Sequence, residues 1–232
     1  MICSENDVIL FAEEDMIPEI AIVEEHHHVI THWNKLRLQS NAPLPVWTLD
    51  YHTDTMPCFR GTRPAPSPDA WKDPRAAAEA VQLLRHDEHF DWALRAGIIS
   101  KAHIGICGEN TDIIAHPGIF VYRPEDFPSS EVILNSPELF RPQAESVLES
   151  NFLSALFPRL PAPGETYILD IDCDYILCRK ALYPHDDKII TSLIQNAALI
   201  TLSTENDWVK ILKLPSESIT GSEIASILAA RR

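Results

Sequence analysis

Two short apolar segments that each run into a series of acidic residues constrain the fold of this chain more than any other feature. The segments lie at residues 45–49 and 167–169. Each is followed by three side chains of the metal-ligand type at alternate positions: Asp50, His52 and Asp54 after the first, and Asp170, Asp172 and Asp174 after the second. Alternate side chains of an extended chain lie on the same side, so we expect each series to point at one place.

Carboxylates at the ends of hydrophobic strands repel one another and are costly to bury unless a cation neutralises them. The carboxyl ends of parallel strands meet at one edge of a sheet, where ligands usually bind. The two series therefore predict a two-metal site at that edge. Aspartate and histidine are hard and borderline ligands, which suit manganese, with magnesium, iron and zinc as alternatives.

Apolar periodicity in the rest of the chain alternates between strand and helix. The predicted strands lie at 8–12, 20–23, 45–50, 103–107, 119–122, 132–134, 167–170 and 198–203. The predicted helices lie at 29–38, 74–85, 89–96, 137–157 (limited in its first part by Pro142), 186–196 and 222–230. This order predicts an α/β fold, with a mainly parallel sheet and helices on both faces, as a single domain over residues 1–232. We expect the proline-rich loop at 57–74 to hang over the metal edge.

Charge and cysteine content limit the partners of the chain. The formal net charge of −15 argues against nucleic acid and suits a protein that attracts cations or a basic substrate. Five cysteines without a C-x-x-C pair indicate reduced thiols in a cytoplasmic protein. No apolar run is long enough to span a membrane, and the start of the chain carries Glu5 and Asp7 instead of a basic signal-peptide segment.

The two acidic series resemble the metal-binding motifs of the arginase and agmatinase (ureohydrolase) superfamily. Residues 50–54 have the form D-x-H-x-D, and residues 170–172 have the form D-x-D. The acid–acid–histidine sequence at 24–26 and the segment 169–175 also resemble a small arginase-related family that includes the peptide arginases of ribosomal-peptide biosynthesis. The resemblance extends over residues 23–205 and implies the three-layer arginase/deacetylase-like fold.

The resemblance also implies an activity and a set of ligands. The enzyme would convert arginine side chains of a precursor peptide to ornithine, with release of urea, by attack of a metal-bridging hydroxide on the guanidinium carbon. Two divalent ions, expected to be Mn²⁺, would share six ligands in two sets: His26, Asp50, Asp54 and Asp170 for one ion, and Asp50, His52, Asp170 and Asp172 for the other. Asp174 would support these ligands without binding an ion.

The substrate contacts are implied in the same way. Glu205, after the strand at 198–203, would bind the planar guanidinium. Arginases follow the first motif with an asparagine that holds the α-groups of free arginine, whereas Thr55 and Met56 stand here, which favours a peptide substrate. The proton-shuttle histidine of arginases has no clear match, and the candidates are His86, His89 and His185. Arginase relatives often form trimers or hexamers, so a homo-oligomer is compatible with the resemblance.

Two other functions remain open on the sequence. A deacetylase-like zinc amidohydrolase has the same fold, uses one catalytic zinc, and has an upstream histidine pair that His26 and His27 imitate. That class has no use for Asp54 and Asp172 as ligands of its zinc. The other alternative is a catalytically inactive protein that binds metal or peptide.

Overall fold

A seven-stranded sheet forms the centre of the molecule in the computed structural model, which describes residues 8–10, 19–108, 113–124 and 135–232. The strands in chain order are β1 (Val8–Leu10), β2 (Glu19–Val23), β3 (Leu44–Asp50), β4 (Ile99–Ile106), β5 (Ile119–Tyr122), β6 (Ile168–Asp172) and β7 (Leu199–Ser203). Their spatial order is β1-β2-β7-β6-β3-β4-β5. Strand β1 is antiparallel to β2, and the six other strands are parallel to one another.

Helices cover both faces of the sheet. One face carries α1 (Val29–Gln39), α2 (Pro74–Val81) and α3 (His89–Arg95). The other carries α4 (Pro137–Ser146), α5 (Ser150–Leu156), α6 (Lys188–Asn196), α7 (Asn206–Leu212) and α8 (Gly221–Ala229). Each face has its own buried core, centred on Trp33, Phe90 and Trp92 on the first face and on Phe140 and Leu156 on the second. The predicted α/β fold is confirmed. Within the described ranges, no helix has both the length and the apolarity that a bilayer crossing requires.

The register of the parallel strands brings their carboxyl ends to one edge. Asp170 in β6 lies opposite Thr48 in β3 and Thr201 in β7. Ser203, the last residue of β7, pairs with Asp172 on one side and with Val23 on the other. Residues that directly follow β2, β3, β6 and β7 therefore meet at this edge.

Several predicted element boundaries are wrong for local reasons. Strand β4 begins at Ile99, four residues before the prediction, and β6 continues through Asp172. Helix α2 ends at Val81, and the following residues form tight turns that lead to the side chain of Glu88, which accepts the Arg85 N–H. Helix α7 was not predicted. The strand predicted at 132–134 lies outside the described residues.

The helical region at 137–157 breaks at a different point from the one predicted. Pro142 lies inside α4, which continues to Ser146 because a proline removes only one backbone hydrogen bond while Phe140 and Ala144 stay buried. The break falls at 147–149. There the Glu149 carboxylate accepts the backbone N–H groups of residues 185 and 186, which fixes the start of α5 against a neighbouring turn.

The proline-rich loop at 57–74 does not line the cleft at the carboxyl edge. Its first part is bound to the α3 region, where Glu88 accepts the N–H groups of Phe59 and Arg60 at 2.9 and 3.2 Å. Its last part contains a 3₁₀ helix, Pro68–Lys72, and the carbonyl of Trp71 accepts a hydrogen bond from Asn34 on α1. Glu88 and α1 thus hold the two ends of this loop, and the expectation that it hangs over the metal edge stays a prediction.

Candidate metal centre

The imidazole of His26 lies among four buried aspartates. His26 follows β2 and opens the 3₁₀ helix His26–His28, and only 1% of it is exposed. Its Nε2 lies 2.8 Å from Asp170 Oδ2. Its Nδ1 lies close to one Oδ2 atom of each of the three others: 3.1 Å for Asp172, 3.2 Å for Asp54 and 3.4 Å for Asp50. The structure thus brings together residues from three strand ends that are distant in sequence.

The first acidic series reaches the site by a turn. Asp50 is the last residue of β3, and its Oδ1 accepts the His52 N–H at 2.8 Å. Its buried Oδ2 accepts no hydrogen bond from the described residues. Asp54 has a left-handed backbone with φ of 47°. The expectation that an extended chain aligns the series is wrong, because the strand ends at Asp50 and Asp54 returns through a left-handed turn.

The second acidic series follows strand alternation for its first two members. Asp170 and Asp172 lie within β6, and Thr201 donates to Asp170 Oδ1 at 2.5 Å. Asp174 lies in the 3₁₀ helix Cys173–Tyr175. Its Oδ1 accepts the backbone N–H of Tyr51 at 3.2 Å, and its Oδ2 lies 3.0 Å from His52 Nδ1. Asp174 therefore connects the two series and orients the His52 ring.

Burial and mutual repulsion disturb the ionisation of these groups. Burial raises the pKa of Asp50 well above its usual range, and the neighbouring charge of Asp54 adds to the effect. Burial, with the charge of Asp174, also raises the pKa of Asp172 to about 8. Burial alone would lower the pKa of His52, but the hydrogen bond and charge of Asp174 raise it to about 9. The buried aspartates of the site therefore carry more negative charge than its histidines can neutralise.

The donors of the site suit divalent cations. Three overlapping sets have ligand atoms within 4.8 Å of one another: His26, Asp50 and Asp172; Asp50, His52 and Asp174; and His26, Asp54 and His89. Five of the six predicted ligands occur in these sets, and so do Asp174 and His89, which were not predicted to bind an ion, whereas Asp170 occurs in none of them. Asp50 belongs to two of these sets and has an oxygen that accepts no hydrogen bond, which is what a bridging ligand requires. Carboxylates with imidazoles suit divalent ions of the manganese and zinc type.

Glu205 lies beside the acidic cluster, in the short connection between β7 and α7. Its backbone is left-handed, with φ of 37°, and its Oε1 accepts the His26 N–H at 2.8 Å. Burial raises the pKa of its carboxyl group. Glu205 also lines a cleft of about 460 Å³ at the carboxyl edge. The other lining residues are Glu24, Glu25, His27, Leu84, Arg85, His86, Asn206, Asp207 and Trp208.

The three candidate proton-shuttle histidines occupy different places. His86 is exposed and lines the cleft. His89 is fully buried, with its ring centre 4.4 Å from that of His26 and its Nδ1 3.0 Å from the His86 carbonyl oxygen. Burial, with the nearby His26, lowers the pKa of His89 well below its usual value. His185 is exposed and bonded to Glu149 at the start of α5, and it does not line the cleft.

The histidine pair of the deacetylase alternative does not form a dyad over the acidic cluster. The ring of His27 lies 4.4 Å from that of His28, and its Nε2 lies 3.5 Å from Glu25 Oε2. Burial, with the charges of the adjacent histidines, lowers the pKa of His27 to about 3. Only His26 of the pair contacts the aspartates.

Trp208 is a cleft residue that the sequence interpretation did not identify. It lies on α7, and its ring centre is 5.2 Å from that of His52. The helix that contains Trp208 could have been predicted, because Asn206 and Asp207 after an apolar strand are typical of the start of a helix.

Comparison with known proteins identifies similar backbones only. No protein-family model matches the chain, and no curated protein sequence is detectably similar to it. A solved structure of a hypothetical agmatinase from Burkholderia thailandensis superposes with a TM-score of 0.45 and 15% identity, over 91% of this chain and 56% of that chain. The proclavaminate amidino hydrolase from Streptomyces clavuligerus gives 0.44 and 14%, over 91% and 62%. This chain thus spans less than two thirds of either structure, and we assign no activity from these similarities.

Proposed function

We propose that this chain is a binuclear metal hydrolase of the ureohydrolase type, which converts arginine side chains within a peptide to ornithine and releases urea. The observation that carries the proposal is the convergence of buried aspartates on His26, with Glu205 bonded to the same histidine. The D-x-H-x-D and D-x-D motifs support it independently. The expected substrate is an arginine-containing precursor peptide in the cytoplasm.

Six side chains at three strand ends would hold the ions: His26, Asp50, His52, Asp54, Asp170 and Asp172. When bound, two divalent ions, with Mn²⁺ expected, would lower the pKa of a shared water and so provide a nucleophile near neutral pH. Asp174 and Thr201 keep their neighbours in place, since Asp174 contacts the His52 ring and Thr201 donates to Asp170. Such outer contacts fix the orientation of metal ligands.

Glu205 would hold the substrate guanidinium. A guanidinium is planar and permanently charged, so it is held best by a carboxylate that accepts its N–H groups. The Glu205 carboxylate lies at the junction of the cleft and the acidic cluster, and its contact with the His26 backbone fixes one oxygen. This position would orient the guanidinium carbon toward the aspartates.

His86 is the better placed of the candidate proton carriers. In the reaction, a water oxygen joins the guanidinium carbon, the bond from that carbon to the side-chain nitrogen breaks, and the leaving nitrogen takes up a proton. His86 is exposed in the cleft and can exchange protons with solvent, whereas His89 is sealed behind His26. We therefore assign His86 to proton transfer and His89 to packing against the ligand histidine.

The environment of Thr55 supports a peptide substrate. Thr55 occupies the place where arginases have the asparagine that holds the α-groups of free arginine. It is fully buried, its Oγ1 donates to the Ile113 carbonyl at 2.5 Å, and its own carbonyl accepts the Ala115 N–H. Because the hydroxyl and the carbonyl of Thr55 are hydrogen-bonded to residues 113 and 115 of the same chain, they are not available to bind the α-groups of a free amino acid.

Urea release from matched substrates tests the proposal. Metal-loaded protein is incubated with a blocked peptide that contains an internal arginine, with free arginine, and with a blocked acetyl-lysine peptide. We expect urea and an ornithine peptide from the first, identified by colorimetry and mass spectrometry, and slow release from free arginine. Faster turnover of free arginine would overturn the peptide assignment alone. Acetate from the third substrate would favour the deacetylase alternative, and no product from any substrate would favour the inactive binding protein.

A further inference from the structure

Trp208 lies one helical turn from Glu205 and faces the same cleft. Glu205 is the N-cap residue of α7, which begins at Asn206, and its carbonyl accepts the Val209 N–H at 2.9 Å. Trp208 is half-buried, and both residues line the cleft of about 460 Å³.

The indole of Trp208 has no flat stacking partner among the described residues. Its plane makes an angle of 63° with the His52 ring and 50° with the His86 ring, at centre distances of 5.2 and 6.3 Å. The contact with His52 is T-shaped and the contact with His86 is tilted, so neither ring is stacked flat on the indole. An indole in a cleft without a stacked neighbour is suited to receive a flat ligand.

The charge of the cleft selects the kind of flat ligand. Four carboxylates line it, from Glu24, Glu25, Glu205 and Asp207, against one cationic side chain, Arg85. A planar cation is attracted both by this negative charge and by the electron-rich face of an indole.

The same chain already contains such a contact elsewhere. The guanidinium carbon of Arg37 lies 4.8 Å from the ring centre of Trp71, on the α1 side of the molecule. That pair shows the geometry that an arginine adopts on an indole in this protein, and it provides a control position remote from the cleft.

We infer that Trp208 is a specificity-determining residue, whose indole face binds the guanidinium of the substrate while Glu205 accepts its N–H groups. The inference rests on the proposed function for the identity of the substrate. It goes beyond that function because it assigns discrimination between planar cations and ammonium or neutral side chains to one residue of α7. A lysine side chain would keep the attraction to the carboxylates but would lose the flat contact.

The test measures binding without turnover. The probe is a blocked tripeptide whose central residue carries an acetamidine in place of the guanidinium, so it is planar and cationic but cannot release urea. The matched neutral probe contains citrulline. Equilibrium dialysis on the metal-loaded protein compares wild type with Trp208→Leu, Trp208→Phe and the control Trp71→Leu, after metal content and the thermal unfolding midpoint have been shown to be unchanged.

We expect Trp208→Leu to weaken binding of the cationic probe about 10-fold, and Trp208→Phe to weaken it about 3-fold or less. Trp71→Leu should have no effect, and the citrulline probe should not distinguish the variants. Should Trp208→Leu fail to fold, fluorinated tryptophan at position 208 keeps the shape of the ring while it withdraws electron density, and the affinity should then fall stepwise with the number of fluorines.

The outcomes separate this inference from the proposed function. Equal binding of the cationic probe by wild type and Trp208→Leu would overturn the inference, as would an equal loss for both probes, even if the wild type releases urea from arginine peptides. Selective loss of the cationic probe in Trp208→Leu would support the inference even if the wild type releases no urea, which would overturn the proposed function alone.

Discussion

The two ends of the sheet carry clefts that differ in volume and in charge. At the amino ends of β6 and β7, a cleft of about 750 Å³ is lined by the segments 160–167 and 188–198. The cleft at the carboxyl ends is smaller, about 460 Å³, yet it adjoins the buried aspartates around His26. The larger cleft has only Glu165 and Lys188 as charged lining residues, and Glu165 is paired with Arg159 at 2.9 Å. Buried unbalanced charge therefore locates the candidate chemistry better than volume does.

Removing one carboxylate at each end should give the largest difference. Asp50→Asn should lower kcat/KM for urea release more than about 100-fold. Substitution of residues that only support metal ligands already lowers metal affinity or activity by about 10- to 100-fold. The matched change at the opposite end, Glu165→Gln, should leave kcat/KM unchanged. Equal effects of the two variants on urea release would remove the distinction between the ends.

Glu205→Gln should give the next largest effect while both ions stay bound. Loss of a charge-assisted contact to the guanidinium should cost about 2–5 kcal/mol of transition-state binding, seen as a lower kcat/KM. The metal content serves as the control. Near-normal activity, or loss of metal, would show that another acid of the cleft holds the guanidinium.

Two glycines allow the same comparison at the level of the backbone. A Cβ on Gly221 would meet the Thr204 carbonyl oxygen at 1.6 Å, next to Glu205, whereas a Cβ on Gly164 would meet no atom within 4 Å. Gly221→Ala should therefore cost about 3 kcal/mol of unfolding free energy and also reduce activity. Gly164→Ala, at φ of 80°, should cost about 1–2 kcal/mol and leave activity intact. Denaturant unfolding measures the free energy of unfolding of the two variants, and urea release measures their activity. Unchanged activity in a folded Gly221→Ala variant would show that the backbone next to Glu205 does not affect the reaction.

The smallest expected effect is a dependence of stability on pH in the metal-free protein. The pKa of Asp172 is raised from 3.8 to about 8, and that of His52 from 6.5 to about 9. A raised pKa means that the folded state holds the proton more tightly, so the stabilisation is complete below the ordinary value and is lost as pH rises through the raised one. In the presence of a chelator, the thermal unfolding midpoint should fall as the pH is raised from about 6 to about 9. The fall should be smaller in Asp172→Asn. A midpoint that rises over this range would contradict the shifts.

Much of the fold was predictable because its signals are local. The apolar runs of β3 and β6 and the acids that end them follow from hydrophobic periodicity, and they correctly place Asp50 and Asp170 at one edge. The order of strands and helices also gives the parallel sheet with helices on both faces. These features depend on near neighbours in the sequence.

The errors arise where distant contacts determine the conformation. The alternation of side chains along a strand does not predict the position of Asp54, because β3 is followed by a turn in which Asp54 has a left-handed backbone. No local sequence pattern predicts such a turn at an aspartate. The course of the loop at 57–74 depends on Glu88, which belongs to a different segment. The contact between Asp174 and His52 joins residues 122 positions apart in a chain of 232, beyond the reach of periodicity.

The number of metal ions bound per chain can be counted directly. Purified protein, dialysed against Mn²⁺ and then against metal-free buffer, is analysed by inductively coupled plasma mass spectrometry alongside Asp50→Asn and Glu165→Gln. We expect two divalent ions per chain in the wild type and in Glu165→Gln, and loss of metal from Asp50→Asn, whose carboxylate would be shared by the two ions. One ion per chain in the wild type would rule out a binuclear site, and two ions retained in Asp50→Asn would rule out Asp50 as a shared ligand.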